Sequence, residues 1–140
     1  MFQFHPRLLE DCHVLGRFPL CHVLLMNDAN YPWFILVPDR PGLTELYQLS
    51  PKDQAALMAE STTLSKALVA AFGGDKLNVA ALGNLVPQLH IHHVVRFRTD
   101  PTWPAPVWGK LPVVAYSDEN RADTIAKLKA LLAADVEFYV

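Results

Sequence analysis

Apolar and polar positions alternate with two different periods along the chain, and these periods separate strands from helices. Apolar, β-branched runs at residues 21–26, 33–37 and 76–81 predict strands, and residues 14–18 are a further candidate. Residues 27–32 between the first two runs are dense in turn formers. This arrangement predicts a β-hairpin in the first third of the chain.

Helix signals frame the rest of the sequence. A short helix is predicted after Pro6. Ser50 stands before Pro51 and predicts the start of a long helix, which then shows apolar residues at helical spacing up to the glycines at 73–74. Ser117 predicts the start of a C-terminal helix over residues 118–133. Strands, one long helix and further strands indicate an α+β fold with an antiparallel sheet.

Composition narrows the class of protein. The 140 residues are 51% hydrophobic and 19% charged, which is typical of one globular domain over residues 1–140. The net charge of −2 argues against binding to long nucleic acid, which needs a basic surface. No apolar run is long enough to span a membrane, and no signal peptide is evident. A cytoplasmic protein with reduced Cys12 and Cys21 is therefore expected.

The most informative segment is residues 87–98, which holds three of the six histidines and is predicted to be a strand. Alternation places Gln88, His90 and His92 on one face, with neighbours roughly 7 Å apart. The other face carries Leu89, Ile91 and His93, for which packing in the core or at an interface is predicted. A row of polar side chains is costly to bury without partners, and imidazole can act as nucleophile, acid, base or metal ligand. The segment therefore predicts a functional site.

The segment from Val86 to His92 reads Val-Pro-Gln-Leu-His-Ile-His and resembles the motif of the histidine triad (HIT) family of nucleotide hydrolases and transferases. That motif is His-φ-His-φ-His-φ-φ, where φ is apolar, and it is often preceded by Val-Pro. Gln88 stands where the first histidine belongs, and Trp33 stands where many members have histidine. These paired departures indicate a subfamily with a reworked site.

The resemblance covers roughly residues 14–108, since residues 24–28 and 33–38 look like the family's two core strands. It implies a HIT-like antiparallel sheet of about five strands, with one long central helix and a C-terminal helix. It also implies a small nucleotide as substrate, a homodimer and no cofactor or metal.

The resemblance also implies a role for each motif residue. His90 is the expected nucleophile, attacking the α-phosphate of a nucleoside polyphosphate, such as a dinucleoside polyphosphate, to form a nucleotidyl-histidine. His92 is expected to hydrogen-bond phosphate oxygens and is a candidate proton donor. Gln88 can orient phosphate oxygens, but glutamine cannot carry a proton. Leaving groups that need no protonation are therefore expected to be preferred.

The expected substrate-binding residues lie on other segments. Asn27 and Asp28 stand at the family's ribose-binding position, although a turn role explains them equally well. Asn84, in a shortened connection before the motif, is the expected α-phosphate ligand, and Trp33 is expected to line the site. In the loop that follows the motif, Trp103 and Trp108 either cover the pocket or simply pack.

Four alternatives remain open, and one of them is a metal-dependent enzyme that uses His90 and His92. A shifted register makes His90, His92 and Val94 the triad, but it loses the match to Val-Pro. A nucleotide-binding or regulatory module with little catalysis would also tolerate Gln88. Finally, the repeated Cys-His pairs at residues 12–13 and 21–22 carry zinc-type ligands, although adjacent residues of an extended chain point apart and suit one metal poorly.

Overall fold

The computed structural model describes all 140 residues, which form one six-stranded sheet, three α-helices and a short 3₁₀ helix. The helices are α1 (Pro6–Asp11), α2 (Pro51–Phe72) and α3 (Asp118–Leu132), with the 3₁₀ turn at Leu46–Gln48. The strands are β1 (Cys12–Arg17), β2 (Cys21–Met26), β3 (Trp33–Pro38), β4 (Lys76–Ala80), β5 (Ile91–Arg96) and β6 (Glu137–Phe138). None of the helices combines the length and the apolar character needed to cross a bilayer.

The strands follow the order β4-β5-β3-β2-β1-β6, and every neighbouring pair is antiparallel. The predicted α+β class and the β2–β3 hairpin are confirmed. The sheet has six strands where about five were predicted, because the two-residue strand β6 returns to pair with β1. Gly16 makes this pairing possible, since a Cβ atom there would lie 2.2 Å from the carbonyl oxygen of Glu137.

Both long helices begin where their capping residues predict. The Ser50 hydroxyl accepts a hydrogen bond from the Asp53 N–H at 3.1 Å, and the Ser117 hydroxyl accepts one from the Asn120 N–H at 3.1 Å. Each bond satisfies an N–H group that the first turn of a helix leaves without a partner. Helix α2 ends at Gly73, whose φ of 74° favours glycine.

The two faces of the sheet are covered differently. Helices α2 and α3 pack on one face, over a core that includes Leu57, Leu64 and Leu128. The other face is covered by less regular chain, the N-terminal segment with Leu8 and the loop with Val107, which pack around Trp33. Irregular cover leaves room for cavities, and two cavities on this second face contain the predicted site residues other than Gln88.

The motif strand is shorter than predicted: β5 runs from Ile91 to Arg96, whereas residues 87–98 were expected to be extended. Strand β4 ends at Ala80, opposite His92, so residues before Ile91 have no ladder partner on that side. Pro87 also has no N–H group to donate to a ladder. Gln88 and His90 therefore precede the strand.

Candidate active site

His90 and His92 lie side by side at the start of β5. Their rings meet edge to face with centroids 4.8 Å apart, and both side chains are buried. They line a cavity of about 360 Å³, whose wall also includes Asn84 and Trp108. The two histidines and the asparagine that the sequence predicted for the site therefore share one cavity.

The hydrogen bonds of His90 define its protonation. Its Nδ1 lies 2.6 Å from the carbonyl oxygen of Gln88, and a carbonyl can only accept, so Nδ1 carries the hydrogen. Nε2 makes no hydrogen bond and keeps its lone pair. Burial lowers the pKa of His90, and the backbone bond to Gln88 only partly opposes this shift. His90 is therefore a neutral imidazole with a free nitrogen, which is the nucleophilic form.

His92 carries its hydrogen on the other nitrogen. The indole N–H of Trp33 donates to its Nδ1 at 3.0 Å, and its Nε2 lies 3.2 Å from the carbonyl oxygen of Leu82. Trp33 reaches His92 diagonally across the sheet, because its direct partner on β5 is Val94. Burial, with a smaller contribution from His90, lowers the pKa of His92 to about 4.

Gln88 does not extend the row of polar groups along a strand. Its side-chain oxygen accepts from the His5 N–H at 2.7 Å, and its side-chain nitrogen donates to the Gln3 carbonyl at 2.8 Å. The amide therefore fixes the N-terminal segment, while the main-chain carbonyl of the same residue holds His90. A role for Gln88 on phosphate oxygens stays a prediction.

His93 points to the opposite face, and the packed interpretation is confirmed. Its side chain is 0% exposed, its Nδ1 donates to the Ile91 carbonyl at 3.1 Å, and its Nε2 lies 2.7 Å from the Ser61 hydroxyl of α2. Burial lowers its pKa to about 4. His93 thus joins the sheet to the long helix.

A second cavity of about 410 Å³ adjoins the histidine cavity and is lined by Asn27, Asp28 and Trp33. The two cavities share Asp11, Met26, Trp108 and Gly109 as common walls. We call these two adjoining cavities together the cleft; the histidines line one cavity, and Asn27 and Asp28 line the other.

Asn27 and Asp28 also stabilise the local backbone, as their turn interpretation predicts. Asp28 Oδ1 accepts from the backbone and side-chain nitrogens of Asn30, at 3.0 and 2.8 Å. Asn27 Oδ1 accepts from the Tyr116 N–H at 3.0 Å, which ties the turn to the loop before α3. Their ribose-binding role stays a prediction.

Helix α1 is the part of the cleft that the sequence did not reveal. Arg7, Glu10 and Asp11 line the second cavity, and Arg7 pairs with Asp11 at 3.0 Å. The segment precedes residues 14–108, over which the family resemblance holds, and it carries no motif of its own. Its charged residues are also spaced as on any solvated helix face.

For Trp103 and Trp108 the sequence allowed either a place over the pocket or simple packing, and the structure places the two side chains differently. The Trp108 ring lies edge to face on His92 and on Trp33, with centroid distances of 5.2 and 5.8 Å, and it lines both cavities of the cleft. Trp103 packs elsewhere, with its ring centroid 5.5 Å from the guanidinium carbon of Arg96.

A buried ion pair anchors the loop that carries Trp108. Arg96 and Asp100 have side chains only 1% and 5% exposed, and the guanidinium donates to both carboxylate oxygens, at 2.8 and 3.1 Å. Burial alone would raise the pKa of Asp100, but hydrogen bonds from Arg96 and the backbone lower it to about 2. The charged pair therefore ties the start of the loop to the end of β5.

Neither the zinc interpretation nor the shifted register is supported by these positions. Cys12 belongs to the apolar cluster of the cleft face and Cys21 to the cluster under the helices, so the two cannot share one metal ion. Burial raises the pKa of Cys12 to about 12 and that of Cys21 further, which disfavours the thiolates that bind zinc. Val94, the third member of the shifted triad, is a buried apolar side chain.

Known proteins resemble this chain in both sequence and fold. The sequence profile of the HIT domain matches residues 8–99. A histidine triad protein from Marinobacter aquaeolei VT8 is 55% identical, with a TM-score of 0.93 over 96% of this chain and 98% of that chain. Histidine triad proteins from Bradyrhizobium japonicum and Sinorhizobium meliloti 1021 are 45% and 39% identical, with TM-scores of 0.91 and 0.92. The matches cover 93% and 94% of this chain, and 97% and 98% of those chains.

No curated protein matches the sequence significantly. The profile covers well over half of the chain, and the three solved structures cover nearly all of it. The cavity with the paired histidines lies on the segment that carries the family motif, and the chain belongs to the histidine triad family.

Proposed function

We propose that the protein is a hydrolase or transferase that acts on the α-phosphate of nucleoside polyphosphates, such as dinucleoside polyphosphates, or of related nucleotide conjugates. The observation that carries this proposal is the state of His90, a neutral ring whose Nδ1 is held by the Gln88 carbonyl and whose Nε2 is free. HIT proteins in general bind nucleotides and are hydrolases or transferases, which supports the same class of substrate.

The reaction takes two displacements. The Nε2 lone pair of His90 attacks the α-phosphorus, a new P–N bond forms, and the P–O bond to the leaving phosphate breaks with its electrons on the oxygen. Water or another acceptor then attacks the same phosphorus, its proton passes to solvent, and the P–N bond breaks to regenerate His90. Splitting one displacement into two easier ones is the usual advantage of a covalent nucleophile.

Other residues of the cleft support binding. The Nε2–H of His92 and the side-chain amide of Asn84 border the same cavity as His90 and are assigned to the phosphate oxygens. Asn27 and Asp28 in the second cavity are assigned to the ribose hydroxyls, and Trp33 lines the same cavity. No cofactor and no metal is part of the mechanism.

The test is mass spectrometry of the intact protein, stopped soon after mixing with a panel of dinucleoside polyphosphates and nucleotide conjugates. A mass increase of one nucleoside monophosphate, mapped to His90, is expected. Turnover without this adduct, or an adduct on another residue, would contradict the proposal. Activity lost on chelation and restored by zinc would instead indicate a metal-dependent enzyme.

The second candidate is a nucleotide-binding or regulatory module. It is favoured by Gln88, whose amide is occupied by the backbone of Gln3 and His5 and which cannot act as an acid. Calorimetry distinguishes the two, because this candidate expects nucleotide binding with neither turnover nor adduct.

The pH dependence follows from the protonation of His90. Its pKa lies below the usual 6.5 because the ring is buried, so the nucleophile is already neutral at pH 7. We expect kcat/KM for a dinucleoside polyphosphate to fall towards acid pH, as Nε2 becomes protonated, with the midpoint of this acid limb below pH 6.5. A profile with an acid limb centred at neutral pH or above would contradict this assignment.

Leaving groups should be ranked by their need for a proton. Gln88 cannot protonate an amine, whereas a phosphate leaves as an anion. We therefore expect dinucleoside polyphosphates to be cleaved faster than nucleoside phosphoramidates in side-by-side kcat/KM measurements. Equal or faster cleavage of phosphoramidates would show that another group in the cleft supplies the proton.

The protein is also proposed to form a homodimer. Strand β4 is an edge of the sheet, and half-exposed Val79 and exposed Met58 flank a groove of about 450 Å³ between β4 and α2. An unpaired strand edge beside apolar side chains suits an isologous contact between two copies. Light scattering at micromolar concentration should give twice the mass of one chain, and a monomer mass would contradict the proposal.

A further inference from the structure

We propose that Trp33 is a positioning residue that holds His92 as the neutral tautomer with hydrogen on Nε2, so that His92 donates to phosphate oxygens and carries no proton to the leaving group. The catalytic consequence rests on the proposed function, whereas the tautomer itself can be measured without substrate. This assignment replaces the double role that the motif alone allows for His92.

The hydrogen-bond geometry allows one assignment. An indole N–H is a donor only, so at 3.0 Å from Trp33 Nε1 the His92 Nδ1 must be the acceptor. A neutral ring then carries its hydrogen on Nε2, which donates to the Leu82 carbonyl at 3.2 Å. Both ring nitrogens are satisfied, and Trp33 and His92 are both buried.

A protonated His92 would be opposed from several sides. An added hydrogen on Nδ1 would face the indole N–H of Trp33, so two donors would point at each other. Burial lowers the pKa of His92, and any charge on His90 or His93 would lower it further. Asp11 and Cys12 line the same cavity, but Asp11 is paired with Arg7, and burial keeps the thiol of Cys12 protonated.

The fixed tautomer of His92 has a chemical consequence for the cleft. During the reaction the Nε2–H of His92 can turn from the Leu82 carbonyl to a phosphate oxygen, since a donor exchanges one acceptor for another. It cannot release that hydrogen, because a neutral imidazole is far too weak an acid. With glutamine at residue 88, the motif then contains no group that protonates a departing amine.

Nuclear magnetic resonance of the full chain labelled with ¹⁵N-histidine tests the tautomer of His92 directly. Two-bond ¹H–¹⁵N correlations distinguish the two neutral tautomers and the charged ring. His92 is expected to show hydrogen on Nε2 alone from about pH 8 to about pH 5, below the pKa of a free histidine. A charged His92 at pH 6, or hydrogen on Nδ1, would overturn the proposal.

Trp33→Phe removes the donor and keeps an aromatic ring. We expect this variant to populate both tautomers of His92, to raise its apparent pKa, and to increase the phosphoramidate-to-polyphosphate ratio of kcat/KM roughly tenfold at pH 6. Trp103→Phe is the matched control, because that ring packs on Arg96 outside the cleft, and it should change neither the tautomer nor the ratio.

Failure of the tautomer assignment can be distinguished from failure of the proposed function. An unchanged His92 spectrum in Trp33→Phe would refute the claim that Trp33 holds the tautomer, even if the protein forms the expected adduct. Conversely, a protein in which His92 carries hydrogen on Nε2 alone but which never forms a nucleotidyl adduct would refute the proposed function. The tautomer assignment would still hold. Should Trp33→Phe not fold, the wild-type spectrum alone still decides the tautomer.

Discussion

If the proposed function holds, replacing His90 by alanine is expected to lower kcat by roughly a thousandfold or more, as loss of a covalent nucleophile does in hydrolases that use one. Alanine leaves no lone pair at the position of Nε2, so the P–N bond of the intermediate cannot form. Nucleotide affinity should stay within about tenfold, or roughly 1.4 kcal/mol, because the rest of the cleft is unchanged. Steady-state kinetics and calorimetry on the same preparation measure the two effects separately.

The matched control is His13→Ala, which removes a histidine of β1 that lines neither cavity of the cleft. It should keep wild-type kcat. Equal activity of wild type and His90→Ala would refute the assignment of the nucleophile. Abolished turnover in His92→Ala, with His90→Ala still active, would instead favour the shifted register.

Replacing Arg96 by methionine is expected to lower the free energy of unfolding by about 3–5 kcal/mol, which is typical of removing one partner from a buried ion pair. Methionine fills much of the space of the arginine stem but leaves the Asp100 carboxylate without its guanidinium. The ring of Trp103 and the amide of Asn78 would lose the same partner. Urea unfolding followed by tryptophan fluorescence measures the change.

Arg121→Met serves as the control, since that arginine pairs at 3.4 Å with an Asp118 side chain that is 97% exposed. Exposed pairs contribute about 0–1 kcal/mol, so this variant should unfold almost as the wild type does. Similar losses in both variants would show that the buried pair contributes no more than an exposed one.

Local signals in the sequence predicted most of the elements. Ser50 and Ser117 start their helices because capping depends on residues only three positions away. The hairpin of β2 and β3 needs only the turn formers between two apolar runs. Strand β6 was missed because two residues carry no period, and its pairing depends on the space above Gly16.

Contacts between distant residues explain what the sequence did not predict at the site. His90, His92 and Asn84 meet as the motif and its neighbouring turn suggest. The partners of the Gln88 amide, however, lie 83 and 85 positions away along the chain. The bond from Trp33 to His92 depends on the register between β3 and β5, strands that are neighbours in the sheet but not along the chain.

Residues that precede and residues that follow the segment recognised by the family profile help to build or support the site. Residues 8–99 contain both histidines of the site, but Gln3 and His5, which Gln88 binds, precede this span. Trp108, which lines both cavities of the cleft, follows it. A fragment cut at the limits of the profile would therefore keep the motif but lose the residues that hold Gln88 and the tryptophan that lines the cleft. We therefore expect the smallest functional unit of this protein to be longer than its recognisable domain.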